Sequence, residues 1–194
     1  MKNLFIIFIL FSFSLSAQKV DKKDEKTKSY NSIINNEVTT DQGLFKVHKK
    51  GNEYYYEIHP SQLNLEMLMV TRIAKTINGI GYGGQKINSQ VLRWQKKNNQ
   101  ILLRIVSYEN IASDSLPIYE SVRNSNFEPI LYAFEIETHN PEDSSVLINV
   151  SPLFNTDVKA LGFPQFRRKS LKITSLDKKR SFIESIKSFP TNIE

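Results

Sequence analysis

The chain has 194 residues, of which 40% are hydrophobic and 24% charged, and its formal net charge is +6. A chain of this length forms one domain or two small ones, and at roughly this size folding buries about 70% of the surface exposed when unfolded, so a core needs no covalent staples. The absence of cysteine excludes disulfides, thiolate metal sites, a cysteine nucleophile and a lipidated N-terminal cysteine.

Residues 1–17 read as a secretory signal peptide. Lys2 gives a positive start, "LFIIFILFSF" is an apolar run shorter than the roughly 20 residues of a spanning helix, and "SLSAQ" supplies small residues for cleavage before Gln18. The expectation is therefore an exported protein, periplasmic, cell-surface or extracellular, with no transmembrane segment after cleavage. Residues 18–30, which include "KVDKKDEKTK", are lysine-rich without apolar periodicity and read as a disordered lead-in.

Two strand-like runs, residues 44–49 and 54–59, flank the glycine-containing turn "KGNE" and predict a hairpin. "SQLNLEM" reads as a short helical turn opened by Ser61, and residues 67–76 as a buried strand. Together these make a small β-rich domain over 31–76. A second β-rich domain over 77–194, incomplete at its C-terminus, begins with "NGIGYGGQKINSQVLRW", in which four of the seven glycines lie within six residues.

Gly79, Gly81 and Gly84 match the spacing of a dinucleotide-binding turn. That turn needs a helix at its last glycine and an acidic residue about 20 positions on. Here the following residues, 91–96 and 101–108, are two strand-like runs around the turn "KNNQ", and position 104 is Arg104. The glycines are thus expected to form a mobile loop before a hairpin.

Farther on, "PIYESVRNSN" predicts a short helix, and "EPILYAFEIETHN" and "SVLINVS" a hairpin. "SPLFNTDV" predicts a helical turn. "RKSLKITS" alternates like a strand with one exposed face, and "LDKKRSFIESIKSFP" places Phe182 and Ile186 on one side of a short amphipathic helix. The fold class expected is mainly β (α+β), antiparallel hairpins with a few short helices.

Chemistry-bearing patterns are sparse. His48, His59 and His139 lie at no helical metal-ligand spacing; His48 and His59 could meet across the first hairpin, but surface positions are the commoner fate. No G-x-S-x-G elbow and no pair of acids marked by spacing is present. The sequence therefore assigns no catalytic, cofactor-binding or metal-binding residue. Eight basic residues against two acidic ones between 167 and 187 equal the whole net charge; without a nucleic-acid-binding motif they read as a solvated face, and no nucleic-acid partner is expected. Tyr54 and Tyr56 should share one face of a strand and Tyr55 the other. Tyr82, Arg93 and Trp94 are the candidate ligand or domain contacts, as an aromatic and arginine cluster for a peptide or glycan, with core packing the commoner alternative.

The stretches "TTDQGLFKVHKKGNEYYYEIHPSQLNLEMLMVTRIAKT", "GIGYGGQKINSQVLRW", "ILLRIVSY", "ASDSLPIYESVRNSNFEPILYAFEI" and "KRSFIESIKSFPTNIE" resemble the N-terminal region of large exported bacterial zinc-dependent metalloproteases of the met-zincin kind. In that family two β-rich domains precede a catalytic domain that carries zinc on an extended His-Glu-x-x-His motif. This chain has no such motif, so the resemblance transfers neither zinc nor catalytic residues to it. It implies a non-catalytic N-terminal portion, a fragment or degenerate copy, whose partner is a metalloprotease catalytic domain in cis or in trans. The alternative expectation is a free-standing exported module that binds a peptide or glycan.

Overall fold

The structure, a computed structural model, describes residues 28–194; the expected signal peptide and the lead-in up to residue 27 lie outside the described residues. Among the described residues there are eight strands: β1 (Thr39–Asp41), β2 (Lys46–Lys50), β3 (Glu53–Ile58), β4 (Glu66–Arg72), β5 (Lys86–Lys97), β6 (Gln100–Val106), β7 (Ile130–His139) and β8 (Val146–Asn149). Four short helices accompany them: α1 (Tyr30–Ile33), α2 (Tyr119–Ser125), α3 (Ser151–Asn155) and α4 (Gln165–Ser170). The fold is mainly β, with antiparallel strands in one curled, half-barrel sheet of order β1-β2-β3-β8-β7-β6-β5-β4. Strands from both sides of residue 76 pair within it, β3 with β8 and β4 with β5.

Local sequence explains the hairpins. Gly51 takes positive φ in the β2–β3 turn, and Asn98 does so between β5 and β6, where an asparagine tolerates the left-handed region. The apolar positions of β3, β5, β6 and β8 fall at period two, so Tyr54, Tyr56, Ile58, Leu92, Trp94, Ile101, Leu103, Val146 and Ile148 all enter one core. Tyr55 points the other way, into a smaller cluster with Ile33 and Leu147.

β7 is the hinge of the sheet. Its first half, from Ile130 to Glu135, pairs with β6, and its second half, from Ile136 to His139, pairs with β8 across a register shift. Such an irregularity bends a strand and increases its twist. The curl brings together side chains that a flat sheet would separate. β3 and β5 stand four places apart, about 19 Å at normal strand spacing, yet the Tyr56 and Trp94 rings are 6.1 Å apart between centroids. Phe45, just before β2, meets Trp94 edge-on at 5.9 Å, and Phe134 of β7 lies 5.7 Å away.

Several elements differ from the sequence-based expectation. β4 is not a buried strand but an edge strand with strict alternation: Met67 and Met69 pack on the core, while Leu68 and Val70 are exposed. The turn after β3 is a 3-10 turn over Pro60–Gln62 in which His59, rather than Ser61, is the cap. "RKSLKITS" is not a strand. Its first residues complete α4, which opens behind Pro164, and the buried Arg168 holds both Asp157 oxygens and the Thr174 carbonyl, drawing the chain back in a turn with positive φ at Lys172.

The expected C-terminal helix is also absent. Ile186 enters the main core, Ser188 donates its backbone N–H to Asp41 and its hydroxyl to the Phe45 carbonyl, and Leu44 N–H donates to the Phe189 carbonyl. Extended backbone satisfies these partners, whereas a helix would consume its own donors. Gly43 permits the contact, since a Cβ there would lie 2.5 Å from the Phe189 carbonyl oxygen.

Truncating the residue that spans the curl should be costly. Trp94→Ala is expected to lower unfolding stability by about 3–5 kcal/mol, whereas Leu68→Ala on the exposed face of β4 should change it by less than about 0.5 kcal/mol. Urea unfolding of both variants checks the contrast.

Candidate functional site

The three residues singled out from the sequence do not converge on one surface. Tyr82 lies at the tip of the glycine loop and is 68% exposed. Gly79, Gly81 and Gly84 in that loop all take positive φ, and β5 rather than a helix follows them. Trp94 is 6% exposed, in the core described above, so its indole is not offered to a ligand.

Arg93, its neighbour, faces the opposite side of the sheet, where two carboxylates occupy it. Nη1 donates to both oxygens of Glu128 at 3.0 and 2.9 Å, and Nη2 donates to Glu66 at 2.7 Å. Glu66 also accepts from the Tyr108 hydroxyl. That hydroxyl and Arg93 hold the Glu66 carboxyl below its usual range. The cluster bolts β4, β5 and the segment after β6 together.

The histidines serve structure. His59 caps its turn, and His139 lies beside Lys96 at 3.2 Å. His48 is buried, contrary to the surface position expected, and is paired across β2–β3 with Tyr55 rather than with His59. Its Nε2 stands 2.9 Å from Glu57 Oε2 and its Nδ1 2.8 Å from the Thr40 hydroxyl. A carboxylate can only accept, so the proton of that pair belongs to Nε2.

Glu57 is the centre of a polar network that the sequence reading missed. It is on the same face as Tyr55, away from the aromatic core, and its side chain is fully enclosed. Besides His48, it accepts from the Tyr30 hydroxyl at 2.6 Å, Lys46 Nζ at 2.6 Å and Asn140 Nδ2 at 2.9 Å. Burial by itself raises the Glu57 carboxyl, but the hydrogen bonds from His48, Lys46, Tyr30 and Asn140 outweigh it and hold the pKa far below the ordinary carboxylate range. Burial and the same carboxylate push the Tyr30 phenol upward. The one signal in the sequence was the period-two register of "KVHKK" and "EYYYEI", which puts Lys46, His48 and Glu57 on one face.

The network works as a clasp. It fastens α1, β1, β2, β3 and the β7–β8 turn to one another around a carboxylate that is itself enclosed, with the Lys46 side chain, 37% exposed, at its margin. Among the described residues no group of three or more His, Cys, Asp or Glu is placed to hold a metal ion, and no helix is long and apolar enough to cross a membrane. A depression of about 70 Å³ beside Lys86, Phe163 and Phe166 is far smaller than the roughly 300 Å³ at which small-molecule sites begin, and a larger hollow of about 510 Å³ beside Asn31, Ile34 and Glu37 is shallow and open to solvent.

The accessible feature with the strongest character is the excursion between β6 and β7. α2, inside it, has no buried residue. Around α2 stand Ile111, Leu116, Ile118, Phe127 and Ile130, all exposed, with Ile111 at 74%. Arg104 lies over the Phe127 ring at 4.9 Å, and Asn110 bonds to Asn126, so the excursion is tied at its base.

The Glu57 clasp sets an acid limit. Because the folded pKa is depressed, its stabilisation is complete well above the ordinary glutamate pKa of about 4.3 and is lost progressively as pH falls below that value. Glu57→Gln should cost about 3 kcal/mol at pH 7 and flatten the acid limb of stability against pH. Urea midpoints between pH 7 and pH 3 for both proteins check the sign.

Comparison with known proteins yields two family-model matches. One described as Domain of unknown function (DUF5117) covers residues 84–194, and one described as Domain of unknown function (DUF5118) covers residues 27–76. No curated protein and no solved structure matches the chain. The first model spans more than half of the sequence, from the glycine loop through the last residue, and the chain therefore belongs to the DUF5117 family.

Proposed function

We propose that this chain is a non-catalytic accessory portion of an exported, met-zincin-like zinc metalloprotease, and that it packs against the catalytic domain and shapes access to its cleft. The observation that carries the docking role is α2, a helix without a single buried residue, set among exposed apolar side chains. A helix of seven residues has little stability of its own, since helices this short depend on packing an apolar face. Five exposed apolar side chains gathered on one excursion of the chain are what a protein contact would use. The resemblance of long stretches of the chain to the N-terminal region of met-zincins supports a met-zincin catalytic domain as the partner.

In this reading zinc and hydrolysis belong to the catalytic domain, in cis or in trans. The chain contributes a rigid platform, held by the aromatic core and the Glu57 clasp, from which the β6–β7 excursion reaches the partner. A peptide- or glycan-binding module is less well supported, because Arg93 is spent on two carboxylates and Trp94 is enclosed.

The purified chain should show no casein hydrolysis, with or without a chelator. Added to a separately produced met-zincin catalytic domain, it should change kcat/KM, and Ile111→Asp and Leu116→Asp should abolish that effect while melting like the parent protein. Chelator-sensitive hydrolysis by the chain alone would sink the non-catalytic assignment, and an effect on the protease that both variants retain would sink the role of the excursion.

A further inference from the structure

The outer edge of β4 is a distinct surface from the β6–β7 excursion. β4 ends the sheet, and among the described residues no strand pairs with its free side. Seven residues long, it presents a row of backbone donors and acceptors of the kind that edge strands usually guard with lysine, proline or a bulge. The strand contains neither lysine nor proline, and its single register shift falls at the very end, between Thr71 and Arg72. Glu66, Leu68, Val70 and Arg72 face outward, with Leu68 70% exposed.

The sequence of this edge, "EMLMVTR", complements itself. When two copies are laid antiparallel about Met69, Glu66 opposes Arg72, Met67 opposes Thr71 and Leu68 opposes Val70. Every outward position then meets a suitable partner, charge against opposite charge and branched apolar against branched apolar. Parallel pairing would put Glu66 on Glu66 and Arg72 on Arg72. Antiparallel pairing centred on Leu68 instead would set Glu66 against Val70 and lose both ion pairs. Only one register satisfies the whole face, and that register has two-fold symmetry.

We infer that the chain forms an isologous dimer through antiparallel β4–β4 pairing centred on Met69, which joins the two eight-stranded sheets into one continuous sheet. The end groups have capacity for the new contacts. Arg72 gives one N–H to the Gly84 carbonyl and keeps its other donors, and a carboxylate such as Glu66 offers about four acceptor sites. A single seven-residue strand pair is small beside the roughly 1,200 Å² of the smaller stable interfaces, so association should depend on concentration.

Sedimentation velocity of the chain over a wide concentration range tests this directly. A monomer–dimer equilibrium is expected, and Leu68→Lys or Val70→Glu should each weaken it by about tenfold or more. In the double variant the lysine at position 68 of one copy meets the glutamate at position 70 of the other, twice across the axis, so dimerisation should recover. Both positions are exposed, and thermal melting verifies that each variant keeps its fold. A monomer at all concentrations, a dimer indifferent to both single changes, or a double variant weaker than either single would overturn the inference. So would a monomer that instead engages the protease domain through positions 68 and 70, which would show the edge to be reserved for that domain.

Discussion

The aromatic contact at Trp94 is the constraint from which the rest of the structure follows. Its ring meets Phe45, Tyr56 and Phe134, which come from strands or strand ends spread over most of the sheet. Those contacts exist only when the sheet curls, and a curled sheet of eight strands encloses its own core on the concave side without a covering helix layer. The register shift in β7 lets one strand serve both halves, so the bend and the core specify each other. Ile186 of the C-terminal segment then closes the same core.

The opposite face is organised by charge rather than by apolar area. Glu57, Lys46 and His48 occupy positions where the β2–β3 register forces side chains away from the core, and α1, β1 and the β7–β8 turn cover them. A buried carboxylate is tolerated because four donors converge on it; with fewer it would be a large penalty. Arg93 repeats the principle at the other end of the sheet, where Glu66 and Glu128 share one guanidinium. Polar bolts on one side and an aromatic core on the other hold the sheet together, and the two interaction surfaces proposed above, the β6–β7 excursion and the β4 edge, lie at its margins.

The hairpins were legible before the structure because they rest on local chemistry. Alternating apolar residues around Gly51 and Asn98 specify both strand pairs, and the absence of an acidic partner for the glycine pattern was enough to set aside a dinucleotide site. The segment from 165 to 190 departs from its sequence-based expectation in both its elements for one reason: its local periodicity is overruled by distant partners. Asp157 fixes Arg168, while Asp41 and the Phe45 carbonyl fix Ser188, and no window of neighbouring residues contains that information. The candidate site residues divide similarly. Arg93 and Trp94, expected to act in one cluster, fall on opposite faces because they are adjacent in β5, and which of those faces is core depends on the curl.

The sequence by itself determined the β class, the hairpin turns, the opposite faces of Tyr55 and of Tyr54 and Tyr56, and the absence of any cysteine chemistry, because these follow from residue type and period-two spacing. Only the tertiary structure decided that Trp94 lies inside, that Glu57 is a buried hub, that α2 stands exposed and that β4 is a free edge. Each of those depends on strand order, and strand order is set by contacts between residues as far apart as Tyr54 and Ser151, whose backbone and hydroxyl meet at 2.7 Å. Periodicity reports which side of a strand is apolar; the neighbours on that side are chosen by the closure of the whole sheet.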